Sequence, residues 1–381
     1  MTTPPPTDNT GSFSFPADTA LPGWLQSLPA AWRPYAMLAR LDRPVGIWLL
    51  FLPCVIGLAF QRISGGLQVA DLGWAVLFLL GAAVMRGAGC TWNDITDRDF
   101  DAKVARTALR PIPSGAVTVK QAYVFLGVQL AIGFAVWLVL PGDAKITALL
   151  ALPLVAVYPF AKRVTWWPQA WLGLTFNWGV LVGAATASVI TGPVYLLYFG
   201  LVFWTVAYDT IYALQDREDD ALIGVRSTAR LFGKRAVLIS FCFHVGAAAL
   251  IALAAMANGA GRMGALTALV FLLHGLWQAM ILKTRGEGAA LAMFKSNVHA
   301  GALVAAGFVI AALIADRAPK TVLPDTAAAP AVRPDSMALP FRLEIRRRDA
   351  PKSDVWMVRE IRAAMELRGL DPDAAETYSE R

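Results

Sequence analysis

Apolar residues in this chain fall into long, unbroken runs, with no alternation of period two. Runs of roughly 18 to 24 residues recur, each long enough to cross a hydrocarbon core of ~30 Å as a helix. Nine are placed at 44–61, 72–90, 117–140, 145–161, 168–190, 193–214, 236–257, 264–283 and 298–316. Continuous runs exclude a transmembrane barrel, whose strands alternate. The pattern predicts an all-α polytopic membrane protein. Residues 1–21 are rich in Pro, Thr and Ser, with neither a basic start nor an apolar core. They read as a disordered N-terminus and not as a cleavable signal. Residues 22–43, Trp-rich and amphipathic, predict one helix lying at the membrane interface before the first span. Residues 44–316 hold the nine-helix domain. Residues 317–381 form a polar tail of unassigned role, with the basic cluster Arg346, Arg347, Arg348 and a linker-like TVLPDTAAAPAVRPD.

Composition agrees with this: 57% of the 381 residues are hydrophobic and 16% charged, so an ordinary soluble domain is excluded. The net charge of +7 is spread over loops, which fits membrane topology better than a nucleic-acid partner. Basic residues crowd alternate loops: Arg33, Arg40 and Arg43; Lys103, Arg106 and Arg110; Lys162 and Arg163; Arg217, Arg226, Arg230, Lys234 and Arg235; Lys283, Arg285 and Lys295. The other loops offer Arg62, Lys145 and Arg262. By the positive-inside rule the N-terminus and the rich loops are cytoplasmic. The expected setting is a bacterial cell inner membrane, and nine spans put the C-terminus on the opposite face. Cys54, Cys90 and Cys242 lack metal-ligand spacing and read as packing residues, as do the scattered His244, His274 and His299.

The exceptional feature is a pair of acidic clusters on one face. NDITDRDFD, from Asn93 to Asp101, follows the second span; YDTIYALQDREDD, from Tyr208 to Asp220, closes the sixth. Asp94, Asp97 and Asp101 follow i, i+3, i+7 and share one helical face, with Asp99 elsewhere. The second cluster also continues from a helix, and there Asp209, Asp216 and Asp220 follow i, i+7, i+11 and share a face. Asp99, Glu218 and Asp219 read as solvated. Facing stripes of carboxylates repel unless a positive group lies between them. Hard Mg²⁺ ions bridging to a substrate diphosphate would serve, since Mg²⁺ binds through one or two carboxylates plus phosphates. The loop cations Lys103, Arg106, Arg110, Lys162, Arg163 and Arg226 would neutralise the rest. Arg86, inside the second span, is costly there and therefore a candidate for function, or else a snorkelling partner of the first cluster. Two other readings use the same residues: a cation transporter with a carboxylate-lined pathway, and a structural subunit whose acids bind a partner. The first expects acids near the bilayer midplane.

These motifs resemble the UbiA superfamily of intramembrane prenyltransferases, and most closely its 4-hydroxybenzoate branch in ubiquinone biosynthesis. NDITDRDFD is similar to NDxxDxxxD, continued by RTALRPIPSG from Arg106, and YDTIYALQDREDD to YDTxYAxxDxxDD. RLDRPVGIWLLFLPC, from Arg40, resembles the opening RxDKPxG element with Arg43 for Lys, and Arg226 stands where relatives commonly carry Lys. YPFAKRVTWWPQAWLGLTFNWG, from Tyr158, resembles a further motif on the same face. The resemblance implies nine helices around a central cavity with both acidic motifs at its mouth. It implies polyprenyl diphosphate and 4-hydroxybenzoate as substrates, with Mg²⁺ held by Asn93, Asp94, Asp97, Asp101, Asp216 and Asp220. Arg163 would bind the diphosphate or the aromatic carboxylate, with Arg43 and Arg86 as other carboxylate candidates. Tyr158 would wall the cavity or anchor the interface, and Asp209 would steer the phenol or shape the metal site. No protein partner is implied.

Overall fold

The computed structural model describes residues 23–102, 107–222 and 224–317. They belong to one of two units of the chain, Met1–Pro319; the other, Lys320–Arg381, lies outside the described residues, as do the expected disordered N-terminus, the polar tail, Lys103 and Arg106. The helices are α1 (Gly23–Gln26), α2 (Arg33–Leu38), α3 (Val45–Gly65), α4 (Ala70–Asp101), α5 (Val119–Val139), α6 (Gly142–Leu150), α7 (Leu152–Val164), α8 (Pro168–Ala187), α9 (Gly192–Tyr212), α10 (Arg217–Leu222), α11 (Thr228–Phe232), α12 (Ala236–Ala257), α13 (Gly261–Arg285) and α14 (Ala290–Arg317). Among the described residues there is no strand, and nine stretches are long and apolar enough to cross a membrane.

Three expected elements differ in detail. The interfacial segment is two short helices and not one. Pro29 accepts the Trp32 N–H in the turn between them, and Pro34 sits in the first turn of α2. Leu25 and Leu38 point inward while Trp24 and Trp32 are exposed, as an interfacial element requires. The fourth span divides at Ala151 into α6 and α7, because Pro153 lacks the N–H that a continuous helix needs there. The sixth ends at Tyr212, which separates Asp209 from Asp216 and Asp220: Asp216 lies in a turn and Asp220 on α10.

Successive spans alternate in direction, so the ends of α4, α7, α9 and α13 share a face with the starts of α3, α5, α8, α12 and α14. On the opposite face Arg62 and Asp71 close the α3–α4 turn as a buried bidentate pair, with contacts of 2.8 to 3.1 Å. Asp71 also accepts the Gln68 N–H at 2.8 Å, so all its oxygen capacity is engaged.

With no water to expel, helices in a membrane associate through close packing and polar ties. Small residues bring α3 and α8 together: Gly57 abuts the Val180 carbonyl, Gly183 the Cys54 carbonyl, and Gly179 the Cys54 sulfur. Trp204 stacks on Phe271 at 4.5 Å and donates its indole N–H to Asn297 Oδ1 at 2.9 Å, joining α9, α13 and α14. His244 and His274 are tied to the Ser240 carbonyl and the Ser296 hydroxyl in the same region.

A methyl group at Gly183 has no room, whereas Gly127 on α5 faces open space. Gly183→Ala should therefore lose about 1–3 kcal/mol of stability. Gly127→Ala should be neutral or slightly stabilising. Thermal unfolding of the two variants in detergent measures the difference.

Candidate functional site

The acid-bearing end of α4 organises the site. At 1.5 Å per residue a 32-residue helix is about 48 Å long, well beyond a hydrocarbon core of ~30 Å. The helix therefore carries its register straight through the first acidic motif. Asp94, Asp97 and Asp101 face inward, at 0%, 1% and 8% exposure. Asp99 points outward with its side chain 80% exposed.

Carboxylates so deeply desolvated require charged partners. Each meets a guanidinium from a different segment. Arg40, just after α2, donates through Nη2 to both oxygens of Asp94 at 2.7 and 2.9 Å. Arg110, on the loop after α4, donates to Asp101 Oδ2 at 2.7 Å and reaches Asp94 Oδ1 at 3.4 Å. Arg163, at the end of α7, donates to Asp97 Oδ1 at 2.8 Å and to the Thr96 carbonyl at 3.2 Å. Its guanidinium also lies over Phe100 and Phe160, at 4.7 and 5.5 Å. Burial alone would lower the Arg40 pKa. The adjoining Asp94 carboxylate more than offsets this and holds it above its ordinary value, so the guanidinium stays charged.

The second cluster comes from three local settings. Asp209 is half-buried in the last turn of α9, Asp216 is half-buried in the turn that follows, and Asp220 is half-buried on α10. The expected i, i+7, i+11 stripe is therefore corrected. Ala213 and Leu214 bend the chain inward to pack with Ala229, Leu282 and Met293. Arg230 donates to the Asp220 carbonyl at 3.2 Å and to the Val225 carbonyl. Arg226 donates to the Val164 carbonyl at the end of α7 at 2.6 Å, and both arginines lie over Trp166. The turn before α11 is pinned where Gln169 accepts the Thr228 N–H, and the Thr210 and Thr228 hydroxyls meet at 2.6 Å.

Beneath this mouth lies Arg86, on the Asp97 and Asp101 side of α4 but more than two turns deeper. Its guanidinium sits over Phe176 at 5.3 Å and packs against Gly46, at the start of α3. Its Nε is buried with no hydrogen-bond partner among the described residues. Asp209, Tyr158 and Tyr208 lie within its electrostatic reach. The three inward acids of the first cluster are each engaged by another arginine, and Asp209 of the second feels the charge of Arg86. Arg43, just before α3, donates through Nε to Asp42 at 2.9 Å. The Lys162 side chain and Arg106 lie outside the described residues.

Arg40 and Arg230 were visible in the sequence only as loop charges, whereas Arg110 was among the cations expected to neutralise the acids. The spacing from Arg40 to Asp94 is 54 residues, so no local pattern announces the pair. Among the described residues, no three His, Cys, Asp or Glu side chains converge on one point. The inward donors are hard oxygens, three carboxylates of α4 beside the Asn93 amide, ringed by cations.

Comparison with known proteins follows the same lines. Residues 50–299 match the model of the UbiA prenyltransferase family. The chain is 46% identical over 237 residues to the mitochondrial 4-hydroxybenzoate polyprenyltransferase of Mus musculus, covering 62% of this chain and 63% of that one. Against the Arabidopsis thaliana protein of the same name it is 40% identical over 297 residues, covering 74% and 70%. The match thus spans less than two thirds of the mouse protein's length. Among solved structures, a UbiA homologue from Aeropyrum pernix K1 superposes with a TM-score of 0.59 at 27% identity, covering 69% of this chain and 97% of that one. A UbiA homologue from Archaeoglobus fulgidus, bound to GPP and Mg²⁺, shares the fold with a TM-score of 0.57 at 18% identity, covering 74% and 99%.

The relatives also correct one expectation. They are mitochondrial proteins, which overturns the placement in a bacterial cell inner membrane and points to a mitochondrial one. Loop charge could not have told the two apart, because it reports which face of a membrane a loop occupies and not which membrane. Fold, motifs and matched span agree: this chain belongs to the UbiA prenyltransferase family.

Proposed function

We propose that the chain transfers a polyprenyl group from polyprenyl diphosphate to the ring carbon ortho to the hydroxyl of 4-hydroxybenzoate, in a Mg²⁺-dependent reaction of ubiquinone biosynthesis. The carrying observation is the two-level site. Buried carboxylates with exchangeable arginine partners line the mouth, and an arginine with an unpartnered Nε lies beneath them. The relatives' names support the acceptor, and the GPP and Mg²⁺ bound to the Archaeoglobus homologue support the donor and the metal.

The donor set fits Mg²⁺, which takes oxygen ligands, needs few carboxylates from the protein and shares its shell with phosphate. Asn93, Asp97 and Asp101 from α4, with Asp216 and Asp220 from the second cluster, would hold it. Bound there, Mg²⁺ would stabilise the charge that develops on the departing diphosphate. Arg163, 35% exposed on Asp97, and Arg110, 24% exposed on Asp101, are placed to exchange a carboxylate for diphosphate oxygens. Departure of the diphosphate with its bonding electron pair leaves an allylic cation. Phe176 beneath Arg86, with Tyr158 and Tyr208 within its electrostatic reach, would supply π-faces that stabilise positive charge and exclude water. Arg86 binds the carboxylate of the aromatic acid, and Asp209 beside it orients the phenol end. The ring carbon then forms the new C–C bond, and its proton passes to the departed diphosphate, which restores aromaticity.

The transporter reading fits less well, because the buried acids sit in the last turns of α4 and not at mid-span. Membranes containing the protein should form prenylated 4-hydroxybenzoate, identified by mass, and EDTA should abolish it with Mg²⁺ restoring it. Product from a different aromatic acceptor, and none from this one, would reject the acceptor assignment. Asp97→Asn and Asp216→Asn should each lower kcat about 100-fold or more, with insertion and thermal unfolding little changed. Arg86→Lys keeps the charge but loses the planar fork. It should raise KM for the aromatic acid at least roughly tenfold, leaving KM for the diphosphate near wild type.

A further inference from the structure

We infer that Asp94, although it stands inside the first acidic motif, does not bind the metal: with Arg40 it forms a lock that positions the start of α3 against Arg86. This rests on the reading of the site above.

Four observations carry it. First, Asp94 is the most sealed of the three inward acids, at 0% exposure, and both its oxygens accept from one Arg40 nitrogen. Arg110 adds a longer contact to Oδ1 at 3.4 Å. Second, Arg40 is itself anchored. Its Nη1 donates to the Met37 carbonyl in α2 at 3.0 Å, and its side chain is only 15% exposed. The Arg163 that faces Asp97 is 35% exposed, better placed to leave its carboxylate for an incoming ligand. Third, Arg40 has φ +58°, and among the described residues it is the only non-glycine with positive φ. A strained backbone of this kind persists only where its surroundings over-determine it. Here the turn that ends α2 does so, with the Leu41 N–H donating to the Ala36 carbonyl and the Arg40 N–H to the Met37 carbonyl, both at 3.0 Å, and it presents the Arg40 side chain to Asp94. Fourth, the chain runs from Arg40 through Pro44, the N-cap of α3, directly to Gly46, whose missing side chain makes room for the Arg86 guanidinium. Fixing Arg40 on α4 therefore fixes the surface on which Arg86 rests, and both Arg40 and Asp94 act through Arg86.

The test uses the full-length protein in lipid nanodiscs and measures binding by calorimetry, without turnover. Asp94→Asn and Arg40→Gly are the variants, because glycine adopts the left-handed backbone freely, so that the second removes the side chain without straining the turn. Each should keep Mg²⁺-dependent affinity for inorganic pyrophosphate within about twofold and weaken 4-hydroxybenzoate binding at least roughly tenfold, as misplacement of a binding group does. The double variant should be no worse than the weaker single one, in binding and in thermal unfolding, because both remove the same interaction. Asp97→Asn should instead lose the Mg²⁺–pyrophosphate affinity. The inference is overturned if Asp94→Asn loses that affinity as Asp97→Asn does, or if the two unfolding shifts add. Should Asp94→Asn fail to fold, Arg40→Gly carries the same comparison. A wild-type protein that binds neither ligand would refute the proposed function, and the additivity of the unfolding shifts would still decide the lock.

Discussion

Three carboxylates held out of water on one face of one helix constrain everything around them. Isolated, each would face a desolvation penalty of several kcal/mol even after relaxation. The chain meets this with arginines from three separate segments: the turn after α2, the loop after α4 and the end of α7. Those segments must converge on the end of α4 for the charges to balance, so the electrostatics of α4 set the layout of the whole mouth. The Arg110 and Arg163 pairs also keep the site ready. A guanidinium resting on a carboxylate can pass to a diphosphate oxygen without a change in the number of charge-assisted bonds.

The sequence made some of this legible and concealed the rest, for identifiable reasons. Continuous apolar runs mark spans because lipid requires length and hydrophobicity, and those are local properties. The Asp94, Asp97, Asp101 stripe was readable because α4 runs on unbroken past the membrane. The same periodic reasoning failed after Tyr212, where no Gly or Pro between Asp209 and Asp220 warns of a break. The chain turns there because Ala213 and Leu214 find partners on α11, α13 and α14, a tertiary gain that periodicity does not report. Arg40 and Arg163 were countable as charges, but their partners lie 54 and 66 residues away. The left-handed backbone at Arg40 leaves no mark on composition at all. Pro153, by contrast, was a local signal, and it does divide the fourth span.

Depth separates two kinds of chemistry. At the mouth, acids and arginines alternate in a setting where water and counter-ions still reach the edges. More than two turns lower, Arg86 lies where a charge is expensive, and the protein spends few bonds on it: an aromatic face at Phe176, a notch at Gly46 and the field of Asp209. A guanidinium left so lightly tied inside a span would be a liability if it were only structural. Its burial becomes reasonable if an anion arrives to complete it. In the proposed reaction that anion is the acceptor's carboxylate, which sets the acceptor below the leaving group and directs its ring at the prenyl carbon.

The packing of α3 joins the two levels. Its Gly57 and Cys54, against Gly179 and Gly183 of α8, bring it backbone to backbone with α8, which carries Phe176, and its first turn abuts Arg86 on α4. Small residues here do more than fill space, because a close α3–α8 contact leaves α3 little freedom to slide along its axis. The turn at Arg40 then needs to control only one end of an already restrained helix. A single ion pair can fix a binding surface precisely when the remaining degrees of freedom have been removed by packing, and α3 is built in that way.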